Sequence, residues 1–112
     1  MSLIAALLLL ASHAAPTTGT ACPARVAGQR LTDGQVYDGP VPENALLKPD
    51  WTRRRDGVEV TGWPIAGTYE AGRHVFLRCA YAARPPVIVE VTRRVTLCRY
   101  RDAGRMQSLG CR

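Results

Sequence analysis

Hydrophobic and polar positions along this chain alternate in short runs and never settle into a sustained 3.6-residue period. After Asp56-Gly57, the run Val58-Glu59-Val60-Thr61 alternates at period two and reads as a strand that ends, or lies at an edge, at Trp63-Pro64. Residues 73–81 form a second strand, with Val75, Leu77, Cys79 and Tyr81 on one face and His74, Phe76, Arg78 and Ala80 on the other. Arg84-Pro85-Pro86 turns the chain, and residues 87–91 and 95–100 supply two more strands. Thr92-Arg93-Arg94 fits either a hairpin turn or the middle of one long strand. Asp102-Ala103-Gly104 is a clearer hairpin signal, with residues 105–111 returning.

Residues 33–50 are dense in breakers: Asp33-Gly34, Asp38-Gly39-Pro40, Pro42 and Lys48-Pro49-Asp50. They predict turns and forbid a long helix there. The pattern as a whole predicts an all-β domain, a small antiparallel β-sandwich or curled sheet.

The N-terminus differs. Residues 3–10 are eight unbroken apolar positions, the length of a signal-peptide core and less than half a bilayer span. Ser12-His13-Ala14 offers the small-x-small cleavage pattern, although no Lys or Arg precedes the apolar run. The expected organisation is a signal peptide over 1–14, a flexible leader over 15–21 and a single β domain over 22–112, exported to the periplasm without stable membrane insertion.

Four cysteines, Cys22, Cys79, Cys98 and Cys111, follow the cleavage pattern. An even count in a short exported chain reads as two structural disulfides, for which three connectivities can be drawn. The favoured one is Cys22–Cys79 with Cys98–Cys111, the second closing a short loop. Zinc fits poorly, because there is no C-x-x-C pair and His74 is the single histidine after residue 14. No metal or other cofactor is expected.

The formal net charge is +6, and 14 of the 15 cations are Arg. Such a balance serves solubility, and outside the cytoplasm it favours acidic proteins or anionic surfaces over nucleic acid. Catalytic material is scarce. Ser108 and His74 fall on different predicted strands, and Asp33, Asp38, Glu43, Asp50 and Asp56 lie where carboxylates ordinarily fix turns. No catalytic residue is assigned and no enzymatic activity is expected. Recognition material is richer: Tyr37, Trp51 and Arg53-Arg54-Arg55 fall in or beside the breaker-rich segment. They are the candidate partner-binding residues, with Trp51 as aromatic anchor and the arginines as rim charges. Trp63, beside a strand end, is assigned to the core.

Cys22-Pro23, Tyr37-Asp38-Gly39-Pro40, Leu47-Lys48-Pro49-Asp50, Trp63, Cys79-x-Tyr81, Cys98 and Cys111 stand in an order that resembles a family of small periplasmic proteobacterial proteins found near type VI secretion genes. The resemblance covers the whole mature chain, although a Gly common after the tyrosine of Cys-x-Tyr is replaced by Ala82. It implies an immunity protein that binds a secreted effector attacking peptidoglycan, including effectors of the L,D-transpeptidase type. The competing reading is a small envelope hydrolase or a cell-wall-binding module using the loop carboxylates.

Overall fold

The computed structural model describes residues 16–112, so the expected signal peptide over 1–14 lies outside the described residues. Nine strands and one short α-helix follow in order: β1 (Thr17–Thr18), β2 (Arg25–Val26), β3 (Gln29–Asp38), β4 (Trp51–Arg55), β5 (Val58–Pro64), α1 (Ala66–Glu70), β6 (Val75–Tyr81), β7 (Val87–Val91), β8 (Leu97–Asp102) and β9 (Gln107–Cys111). They form a five-stranded sheet ordered β1-β7-β6-β3-β2 and a four-stranded sheet ordered β4-β5-β8-β9. All pairings are antiparallel except that of β1 with β7. The predicted all-β class holds, the two sheets curling into a half-barrel.

The core fills the space between the sheets. From the first sheet come Leu31, Val36, Val75, Leu77, Cys79, Tyr81, Val89 and Val91; from the second come Trp63, Cys98 and Leu109. The predicted inward face of residues 73–81 is therefore the observed one. Each fully buried aliphatic side chain contributes about 1.5–3 kcal/mol relative to exposure. Trp63 is in the core as expected, its indole N–H donating to the Leu47 carbonyl at 3.2 Å.

Asp33-Gly34, read as a turn, lies inside β3. A register shift between Leu31 and Asp33 absorbs an extra residue as a bulge, and the Asp33 carboxylate accepts the Gly34 N–H at 2.8 Å. Gly34 serves close approach here. A Cβ at that position would come within 2.6 Å of Leu109, so only a bare backbone lets β3 and β9 meet across the gap. Residues 92–96 are neither a hairpin nor mid-strand: they carry the chain from β7 in one sheet to β8 in the other.

The segment read as a flexible leader is tied down along its length. Thr17 and Thr18 pair with Val89 and Glu90 of β7, then Ala21 bridges Gly110 of β9. The Cys111 N–H donates to Thr20 and the Cys22 N–H to Leu109. One short arm thus covers an edge of both sheets, satisfying strand groups that would otherwise be open to pairing. Cys22 is bonded to Cys79 on β6, and Cys98 to Cys111 across the β8–β9 hairpin.

The two bridges span 57 and 13 residues, so loop-closure entropy predicts stabilisation of about 4 and about 3 kcal/mol. Replacing Cys22 and Cys79 together by Ser is expected to lower unfolding free energy in urea more than replacing Cys98 and Cys111 together. The reverse order would show that the arm contributes little beyond the cross-strand staple.

A candidate partner-binding face

Trp51-Thr52-Arg53-Arg54-Arg55, read from sequence as loop, is strand β4. Asp56 and Gly57, at φ 52° and 76°, make the two-residue turn that folds Trp51–Arg55 back onto Val58–Pro64. Strand alternation then divides the triple arginine. Arg53 and Arg55 share a face with Trp51. Arg54 points to the opposite face, where Nη2 donates to Glu59 Oε2 at 2.8 Å.

Cross-strand register places the neighbours. Trp51 is opposite Gly62, which is opposite Arg99, itself opposite Gly110; Arg53 is opposite Val60, then Arg101, then Ser108. The outward face of the second sheet therefore carries Arg53, Arg55, Arg99 and Arg101 together with Trp51. The carboxylates of these strands lie on the other side, where Glu59 and Asp102 are paired in register. Among the described residues, Arg53, Arg99 and Arg101 form no ion pair, while Arg55 has a 3.9 Å contact with the fully solvated Asp56. Three guanidinium groups without an ion-pair partner, with Arg55 beside them, make a positive potential for an approaching acidic surface.

Trp51 is half-buried, with its indole lying on Gly62. A Cβ at residue 62 would come within 2.2 Å of the ring, so the glycine is the seat of the tryptophan. The Arg53 guanidinium stacks over the indole at 4.8 Å from the ring centroid, a cation–π contact that holds both side chains in place. A large aromatic fixed in this way loses little conformational freedom on binding.

Beside it, a groove of about 460 Å³ runs over β8 and β9 up to the arm. Gly110, Ser108 and Val60 contribute to its floor, and Arg99, Arg101 and Arg112 line it. Its small residues leave room, and its arginines leave positive charge.

Tyr37, a candidate partner-binding residue from its place in the breaker-rich segment, lies away from this face and is buried. Alternation along β3 sends Val36 into the core and Tyr37 to the outer side of the first sheet, opposite Phe76. Residues 45–47 fold against that end of β3 through the Asp38 N–H to Ala45 and the Leu47 N–H to Val36, leaving Tyr37 only 7 % exposed.

The remaining chemistry-bearing groups are dispersed. Ser108 and His74 stand on different sheets, His74 Nδ1 lying 3.5 Å from Glu90. Asp38 and Glu43 both hold Arg73, whose Nε donates to Asp38 Oδ1 at 3.0 Å. At the open end of the half-barrel, Asp33, Glu59 and Asp102 border a notch with Tyr100. Burial pushes the Tyr100 phenol up to about 12, with the negative charges of Asp33 and Asp102 adding to the shift.

Comparison with known families gives one result over this domain. The profile of a family described as Type VI secretion system Tli immunity protein matches residues 24–112, most of the described fold. Neither a curated protein nor a solved structure matches the chain.

Two outcomes follow from the geometry. Gly62→Ala should unseat the Trp51 indole, red-shifting tryptophan emission while costing at most about 1 kcal/mol of stability, the worth of an exposed cation–π pair; unchanged emission would mean that Trp51 does not rest there. Tyr100 binds its proton more tightly in the folded state than in the unfolded chain, where the phenol titrates near 10. Its contribution to stability is thus complete below pH 10 and lost as pH rises toward 12. Tyr100→Phe should flatten that part of the stability profile in pH-dependent urea unfolding.

Proposed function

The chain belongs to the type VI secretion Tli immunity family, and we propose that it acts in the periplasm, where it binds and blocks an effector directed at peptidoglycan without turning over a substrate itself. The observation that carries this reading is the outward face of the second sheet. It gathers a seated tryptophan and four arginines, of which Arg53, Arg99 and Arg101 have no ion-pair partner among the described residues, the composition of a hot-spot surface with a charged border. Immunity proteins act by occupancy, which asks for a rigid complementary surface and for no reacting groups.

The compartment is supported by chemistry. A small domain stapled by two disulfides suits an oxidising compartment. The apolar run over residues 3–10 supplies the export signal in this reading, leaving residues 22–112 as one periplasmic domain. The peptidoglycan target rests on the resemblance drawn from the motifs Cys22-Pro23 through Cys111. Effectors of that kind reach their substrate in the same compartment as this inhibitor.

Trp51 is the central contact in this reading, with Arg53 and Arg55 at its border. Trp51→Ala is expected to weaken binding of the effector encoded beside the gene by about 2 kcal/mol or more. Folding stability should change far less than the 3–5 kcal/mol typical of a truncated core tryptophan. Calorimetric titration and urea unfolding of the same variant separate the two effects. A stable variant that binds as tightly as the parent would remove Trp51 from the interface.

A further inference from the structure

The groove beside Trp51 shares Val60 and Arg99 with the tryptophan patch and extends from them over β8 and β9 to the arm. Its back wall is the arm, where Thr20–Cys22 runs along β9 and is latched by the Cys22–Cys79 bond. Gly110 and Ser108 line its floor. Arg99 and Arg101, two residues apart on β8, project from the same side of the sheet. Arg112 lines the end of the groove.

We infer that this groove receives an extended acidic segment of the effector, with carboxylates at alternate positions set against Arg99 and Arg101. The inference rests on the immunity reading given above and specifies its partner. Spacing supports it. Side chains at i and i+2 of a strand are about 6.6–6.8 Å apart, so arginines at that interval on β8 match aspartates or glutamates at the same interval on another extended chain. Guanidinium groups pair with carboxylates through two parallel hydrogen bonds, which fixes register as well as adding charge attraction. Shape supports it too: Ser108 is a small residue lining the groove from β9, while Gly110 lets the arm lie close along that strand, where a Cβ would meet Ala21 at 3.4 Å. Among the described residues, no carboxylate of this chain is ion-paired with Arg99, Arg101 or Arg112, so the site is free of an internal competitor. The Trp51 patch then supplies apolar contact area, and the groove supplies selection for acidic partners.

The test is binding of the purified neighbouring effector to the mature protein carrying Arg99→Glu and Arg101→Glu together. Arg93→Glu, an exposed cation in the crossing between the sheets, serves as the charge control. The double variant should lose about 100-fold in affinity or more, with a weaker salt dependence than the parent, whereas Arg93→Glu should stay within about 3-fold. Circular dichroism and urea unfolding of each variant verify that the fold is retained. If the double variant does not fold, Arg99→Gln with Arg101→Gln removes the charge without reversing it and should still lose about 10-fold or more. Replacing acidic residues of the effector by Lys and regaining affinity only against the Glu variant would identify the matching pair. Parent-like affinity in a folded double variant would overturn the groove assignment and leave the immunity reading standing. Failure of the unaltered protein to bind any neighbouring toxin would overturn both.

Discussion

The Cys22–Cys79 bond is the constraint on which this small domain depends most. It joins the arm before β2 to the central strand of the five-stranded sheet, while the residues around Cys22 pair with β9 of the other sheet. Pro23 takes part as well, its carbonyl accepting the Tyr81 hydroxyl. Two curled sheets with one shared core have open edges on each side. The arm closes one such pair of edges and the bond prevents it from fraying. The close approach of β3 and β9 over Gly34 then brings the two sheets together, and Cys98–Cys111 stiffens the hairpin that meets it. In a domain of this size the apolar core alone is thin, and covalent staples supply much of the margin.

That economy has a consequence for recognition. The inward faces of both sheets are spent on the core, and the outer side of the first sheet is partly filled by Tyr37 and Phe76. The outward side of the second sheet keeps Trp51, Arg53, Arg99 and Arg101 facing away from the core. Its rigidity comes from the fold beneath it: Trp51 is seated on Gly62, and Arg99 and Arg101 stand on a strand hydrogen-bonded on both sides. A rigid inhibitor surface forfeits little ordering entropy on binding, and arginine adds planar, directional contacts to charge.

Much of this was legible in the sequence because the clearest strands have one buried face. Val75, Leu77, Cys79 and Tyr81 alternate cleanly, and the Asp102-Ala103-Gly104 turn announces its own hairpin. The even cysteine count pointed to two disulfides, and the pairing favoured among three is the one observed. Strand β4 was not legible, since Trp-Thr-Arg-Arg-Arg is polar at nearly every position and holds its conformation through pairing with β5. The signal was present in Asp56-Gly57, a two-residue turn that requires a strand on its upstream side as well as downstream. Asp33-Gly34 misled in the opposite direction, because a bulge and a turn use the same residues. Arg99 and Arg101 could not be joined to Trp51 from sequence at all: their meeting depends on β8 pairing with β5, 40 residues apart in the chain, and register across such distances is a tertiary property.

The central claim is that the outward face of β4, β5, β8 and β9 meets the effector. Hydrogen–deuterium exchange of the protein, alone and saturated with the neighbouring effector, addresses it without altering any residue. The account predicts added protection along residues 51–62 and 99–112, strongest on the edge strand β4, with the outer side of the five-stranded sheet unchanged. Protection confined to residues 29–38 and 75–91, with β4 exchanging as in the free protein, would contradict it.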